Sequence, residues 1–291
     1  MTKNFISLWD FSSSEIEEML NLAAKVKKNS SSYKNELKNK NIALIFSKPS
    51  TRTRTSFEVG INQLGGHALY MNAGTTQLGK GETIGDTSKV MSRYVDAIVA
   101  RLYDHKDILE MARFSSVPVI NALTNLLHPC QILSDLFTIK EKFKKTQGIN
   151  LTYMGNAYNN IAHSLIIGSK KAGINLTISC PKGMEPDKSI MKRGNACIVY
   201  DPRKAAKDAD ILYTDKWFSM HEKEDKNKLA KLRRYQINNK VLGSAWAMHD
   251  LPAHRNWEIT SSVMDSPHSL IWDQAENRLH AQKAMMIKLI K

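Results

Sequence analysis

The sequence predicts an α/β protein of two doubly wound domains, each with a mostly parallel central sheet flanked by helices. Three observations point there. Short apolar runs alternate with helical patterns along the chain, as in repeated strand–helix units. Several runs are apolar throughout rather than alternating, as strands covered on both faces must be. The 291 residues, 42% of them apolar, suit two domains of roughly 100–200 residues, each with its own core.

Taken in order, residues 42–46 (Ile-Ala-Leu-Ile-Phe) form the first buried strand. A helical pattern follows through Phe57, Val59, Ile61 and Leu64, stopped by Gly65-Gly66. Residues 67–71 read as strand, 82–94 as helix, 96–100 as strand, 107–114 as helix and 117–121 as strand. A helix over 131–145 ends in the polar stretch Lys144-Lys145-Thr146-Gln147-Gly148, which places the domain boundary there. Residues 1–145 are expected to form one domain and 146–273 the second. Four more strands are predicted at 150–154, 176–180, 196–200 and 210–214. Residues 274–290 read as a strongly amphipathic terminal helix, and no internal repeat occurs.

The net charge of +14 comes from 42 Lys and Arg spread along the chain. Short runs such as Lys142-Phe143-Lys144-Lys145 and Lys231-Leu232-Arg233-Arg234 read as solvated helix faces. Such a balance draws in small anions, and no nucleic-acid partner is expected. Cys130, Cys180 and Cys197 are odd in number and lack a CxxC spacing, so neither a disulfide framework nor a metal site is expected. The N-terminus lacks a signal-peptide pattern. No stretch approaches the roughly 20 apolar residues of a membrane span, and a cytoplasmic protein without membrane contact is expected.

The first strand delivers the chain into Ser47-Lys48-Pro49-Ser50-Thr51-Arg52-Thr53-Arg54, where a helix begins. Ligands of open α/β sheets bind beyond the carboxyl ends of strands. A helix N-terminus offers free N–H groups and a positive dipole end that suit phosphate. Ser50, Thr51 and Thr53 add hydroxyls, and Arg52 and Arg54 add guanidinium forks for paired oxygens. The segment lacks the Walker pattern. Alone, such a loop is more often an ordinary helix start, His128 more often a structural histidine, and Arg101 equally either.

Ser50-Thr51-Arg52-Thr53-Arg54 does not stand alone. It is followed in order by His128-Pro129-Cys130-Gln131, Asp215-Lys216-Trp217-Phe218-Ser219-Met220 and Asp273-Gln274-Ala275-Glu276-Asn277-Arg278-Leu279-His280. This set resembles the aspartate/ornithine carbamoyltransferase family, and the likeness runs from Leu8-Trp9-Asp10-Phe11-Ser12 to the C-terminus. The resemblance implies a terminal helix, 274–291, that packs back on the first domain. It implies carbamoyl phosphate held by Ser50, Thr51, Arg52, Thr53, Arg101, His128, Gln131, Leu251 and Arg278. Gln77 would reach a neighbouring subunit's site within a homotrimer. Arg52, Arg101 and His128 would be catalytic, stabilising charge on the carbonyl oxygen and departing phosphate, with Asp250 facing the reacting amine. L-ornithine would be held by Asn160, Asp215, Ser219 and Met220 and converted to L-citrulline, with no cofactor. Asn159 is a second candidate beside Asn160.

Three positions depart from the ornithine branch of that family. His249-Asp250-Leu251-Pro252 stands where His-Cys-Leu-Pro is usual, His221 follows Ser-Met in place of Gly, and Asn156 follows Gly155 in place of Asp. A carboxylate at 250 would hold the amine as ammonium and slow transfer at neutral pH. Alternatively it acts as general base if its pKa is raised, serves another amine acceptor, or turns away to Arg255. A weakly active relative kept as a subunit or binding protein is the remaining reading.

Overall fold

The computed structural model describes residues 3–76, 78, 81–218, 222 and 224–290. They group into two compact units, Met1–Phe137 with Asn277–Lys291, and Thr138–Glu276.

Unit 1 holds a parallel sheet of β1 (Asn41–Phe46), β2 (His67–Asn72), β3 (Ala97–Arg101) and β4 (Val119–Leu123) in the order β2-β1-β3-β4. The two central strands are the most apolar, and Ile42 to Leu44 and Ala97 to Ala100 are fully buried. Helices α1 (Ser13–Lys28), α2 (Thr51–Gln63), α3 (Ile84–Met91), α4 (His105–Phe114) and α5 (Pro129–Phe143) accompany the strands. The α3 helix is shorter than the predicted 82–94, because the Thr83 hydroxyl caps it by accepting from the Asp86 N–H at 3.0 Å. Gly65 ends α2 at φ +85°, where a Cβ would lie 2.3 Å from the Lys34 carbonyl oxygen.

The C-terminal helix, Ile271–Leu289, joins unit 1 as expected, but its buried residues include polar ones. Asn277, Arg278, Gln282 and Lys283 are as buried as Ala281, Ala284, Met285 and Met286. From Asn277 onward it belongs to unit 1, and polar partners there allow this burial. Lys283 Nζ donates to Ser30 Oγ at 2.7 Å and to Gln63 Oε1 at 2.8 Å.

Unit 2 holds a second parallel sheet of β5 (Asn150–Met154), β6 (Asn175–Ser179), β7 (Ala196–Ile198), β8 (Ile211–Thr214) and β9 (Trp246–His249), ordered β7-β6-β5-β8-β9. Helix α6 (Asn160–Ala172) follows β5 and is buried from Ile161 through Ser169. The β7 strand is shorter than predicted, and β9 is absent from the predicted set. Among the described residues no helix is long and apolar enough to cross a membrane.

Candidate active site

Each sheet reverses its winding once. In unit 1 the reversal lies between β1 and β3, and in unit 2 between β5 and β8. Loops leaving adjacent strands in opposite directions open a crevice at that point, beyond the strands' carboxyl ends. Several of the sequence-predicted residues lie at or beside these two places.

In unit 1, β1 runs into the loop before α2. Ser50 sits at the N-cap in extended conformation, its hydroxyl making no capping bond, and Thr51, Arg52 and Thr53 form the first turn. Arg101 ends the neighbouring β3, opposite Phe46 in register, and its carbonyl accepts from the Ser47 N–H at 2.9 Å. Arg54 is engaged elsewhere, stacked 3.4 Å from the centre of the Tyr70 ring and paired with Glu58 at 3.0 Å. Lys48 lies over the Tyr103 ring at 4.4 Å, and burial, with Arg101 nearby, lowers its pKa.

The second cluster of unit 1 joins residues far apart in sequence. Arg278 Nη1 donates to Gln131 Oε1 at 2.5 Å, and Nη2 donates to Thr53 Oγ1 at 3.0 Å. Gln131 in turn donates from Nε2 to Asp135 Oδ1 at 2.9 Å. The Gln131 amide thus relays between a buried cation and a buried carboxylate, and all four side chains are held in one orientation. Asp135 was missed from sequence, although its place one turn after Gln131 on α5 was a readable signal. His128 precedes Pro129 at the start of α5 and is almost wholly buried. Burial, reinforced by Arg278 and Arg101, pushes its pKa well below the ordinary histidine value. The imidazole is therefore held in its neutral form.

In unit 2, β5 leads through Gly155 into the loop before α6. Asn159 caps α6, accepting from the Ala162 N–H at 2.8 Å and donating to the Tyr153 hydroxyl and the Asn156 carbonyl, each at 2.8 Å. Its polar atoms are committed to the helix start, while Asn160 opens the first turn. Asn156 Nδ2 donates to the Trp217 carbonyl at 3.2 Å, tying this loop to the one after β8. An aspartate at this position could not make that donation.

Asp215 follows β8 and Asp250 follows β9. Thr214 and His249, the residues before them, are register partners. Burial raises the pKa of Asp215, and Asp250 is among the groups that act on it. Arg255, the alternative partner expected for Asp250, is instead bidentate to Asp265 at 2.6 and 2.9 Å. Behind the pair, His249 Nδ1 accepts from the Leu251 N–H at 2.8 Å, and its Nε2 lies 3.2 Å from buried Glu258. Because Nδ1 is an acceptor, its 3.6 Å approach to Asp250 is no hydrogen bond. Leu251 adopts φ +58° in this turn. Tyr153 and Glu258 were not expected at the site, since nothing local in the sequence places them there. Gln77, Ser219, Met220 and His221 lie outside the described residues.

Two parallel α/β units, one with a basic, hydroxyl-rich helix start and the other with a carboxyl-lined crevice, define an enzyme architecture for an anionic ligand and a cationic one. Residues 3–141 match the aspartate/ornithine carbamoyltransferase carbamoyl-P binding domain, and residues 147–289 match the Asp/Orn binding domain. The chain is 49% identical to an ornithine carbamoyltransferase of Pyrococcus abyssi, covering 87% of this chain and 84% of that one. It is 46% identical to an ornithine carbamoyltransferase of Methanocorpusculum labreanum, covering 100% of this chain and 99% of the relative. The solved ornithine carbamoyltransferase of Pyrococcus furiosus superposes with a TM-score of 0.94 at 45% identity, over 99% of this chain and 97% of that one. The chain belongs to the aspartate/ornithine carbamoyltransferase family.

Proposed function

We propose that this protein transfers the carbamoyl group of carbamoyl phosphate to the δ-amine of L-ornithine, giving L-citrulline and phosphate. The observation that carries this reading is the 46% identity, over nearly the whole of both chains, to a relative named for that activity. Unit 1 then holds carbamoyl phosphate. Ser50, Thr51, Arg52 and Thr53 take the phosphate at the start of α2, and Arg101 reaches both phosphate and carbonyl oxygen. Neutral His128 donates to the carbonyl oxygen, Gln131 orients the carbamoyl amide, and Arg278 completes the pocket. Unit 2 holds ornithine, its α-carboxylate on Asn160 and Met220 and its α-ammonium on Asp215 beside Ser219. The neutral δ-amine attacks the carbamoyl carbon, and phosphate leaves with the C–O electron pair. In this reading Arg52, Arg101 and His128 stabilise the charge that develops on the carbonyl oxygen and the departing phosphate.

Assembly as a homotrimer, with Gln77 completing a neighbour's site, is part of this reading. Unit 1 exposes Val90, Tyr94, Tyr103, Leu109 and Phe114, an apolar load suited to a subunit interface. The cytoplasm is the assigned compartment, since Cys130, Cys180 and Cys197 are free thiols. A second reading, transfer to a different amine, is favoured by Asp250 alone. Carbamoyl phosphate with a panel of amines tests both. Product with ornithine alone supports the first reading, product only with another amine selects the second, and no product with any of them rejects both.

A further inference from the structure

Two fully buried side chains of unit 2, His249 and Glu258, have no part in the reading above. The β9 strand ends at His249, and the chain turns directly after it. That turn needs support, because Leu251 stands at φ +58°, a region that residues other than glycine seldom adopt. Such a backbone persists only where its surroundings fix it. Here they fix it through His249 and Glu258. The His249 N–H donates to Gln274 Oε1 at 2.9 Å. The His249 ring accepts at Nδ1 from the Leu251 N–H at 2.8 Å. Its Nε2 lies 3.2 Å from Glu258 Oε1, which also accepts from the His254 N–H at 2.5 Å. Glu258 is itself tied down, its carbonyl accepting from the Ile237 N–H at 2.9 Å.

These contacts decide where the ring proton sits. Nδ1 accepts, so it carries no proton, and the proton is on Nε2, facing Glu258. The partner of one ring nitrogen thus sets what the other can do. A proton on Nδ1 would oppose the Leu251 N–H with a second donor, and the bond that holds the turn would be lost. Fold stability alone does not call for Glu258. A buried carboxyl costs more than an apolar side chain of its size unless all its oxygens are satisfied. Glu258 Oε2 has no hydrogen-bond partner among the described residues.

We propose that His249, held in its Nε2–H form by Glu258, is a positioning residue of the acceptor site, fixing the turn that carries Asp250 alongside Asp215. The assignment rests on the ornithine reading above. Thr214 and His249 are register partners on parallel strands, so the residue that follows each of them, an aspartate in both cases, leaves the sheet beside the other. Asp215 is the group assigned to the α-ammonium. A turn free to reopen at Leu251 would release Asp250 from its place next to that carboxyl. Ornithine would then bind more weakly, while the phosphate turn of unit 1 would be unaffected.

The test replaces the imidazole by two amides. An Asn side chain can set its oxygen where Nδ1 lies, and a Gln side chain can reach only to the position of Nε2. His249→Asn therefore keeps an acceptor for the Leu251 N–H, whereas His249→Gln keeps the link to Glu258 and loses that acceptor. In variants shown by circular dichroism to be folded, His249→Gln is expected to raise KM for ornithine on the order of tenfold or more, with KM for carbamoyl phosphate within about twofold of the parent. His249→Asn should recover most of that loss, and Glu258→Leu should behave as His249→Gln does. Equal ornithine KM values for the Asn and Gln variants, or parallel rises for both substrates, would overturn the proposal and leave His249 a packing group. Neutron diffraction from a deuterated crystal of the parent needs no variant to fold. It should show deuterium on Nε2 of His249 and none on Nδ1, and deuterium on Nδ1 would overturn the proposal as well. A parent that makes no citrulline from ornithine would instead reject the ornithine reading, and this assignment with it.

Discussion

Replacing His128 by Asn should make the protein less active and, at acid pH, relatively more stable. The imidazole is buried without a carboxylate among the groups that shift it, and burial, Arg278 and Arg101 all disfavour its charged form. The unfolded chain protonates this histidine near pH ~6.5, while the folded chain does not. The unfolded state therefore binds more protons below that pH, and stability falls as pH falls. The slope approaches ~1.4 kcal/mol per unit until the folded pKa is reached. Between pH 7.5 and 5.5 the parent should lose about 1.4 kcal/mol through this one residue, as long as the folded imidazole stays neutral. Asn has nothing to titrate and escapes that loss. Losing the donor proposed for the carbonyl oxygen should at the same time cost roughly 10²–10³ in kcat. The assay is urea unfolding of parent and variant at pH 7.5, 6.5 and 5.5, at fixed protein concentration and salt. Parallel pH dependences of the two proteins would refute the reasoning, because they would mean that the folded state admits the proton.

Arg52→Ala should abolish measurable turnover while leaving the circular dichroism spectrum unchanged, and near-normal rates in a folded variant would remove Arg52 from the phosphate site. Mixing inactive Arg52→Ala with inactive Gln77→Ala subunits should restore part of the activity if sites are shared around a trimer. Absence of rescue in demonstrably mixed trimers, or a monomer by light scattering, would contradict the shared site. Asn160→Ala should raise KM for ornithine by tenfold or so, the worth of about 1.4 kcal/mol, with KM for carbamoyl phosphate little changed. An unchanged ornithine KM would move the carboxylate contact elsewhere.

Much of this protein was legible in its residues because some determinants are local. A strand buried on both faces must be apolar throughout, so β1 and β3 stood out. Hydroxyls and guanidinium groups crowd the residues just after a buried strand, so the Ser50 to Thr53 turn declared its place. Four short motifs in a fixed order carried the family. Contacts between distant segments and burial by neighbours were decided only in three dimensions. The β9 strand escaped notice because four residues, Trp246 to His249, show no period, and it becomes a strand by pairing with β8. The terminal helix has polar residues on more than one face, and only their partners in unit 1 make its burial tolerable. Arg278 and Thr53 are 225 residues apart, and no spacing rule spans that distance. Asp250 shows the division most clearly. Its sequence establishes a carboxylate where the resemblance to the ornithine branch implies a thiol, and leaves open whether it opposes the reaction, assists it or turns aside. The register of β8 against β9 decides that it meets Asp215. The physical reason is that a carboxyl's protonation depends on the nearest charge, and that charge lies on another strand.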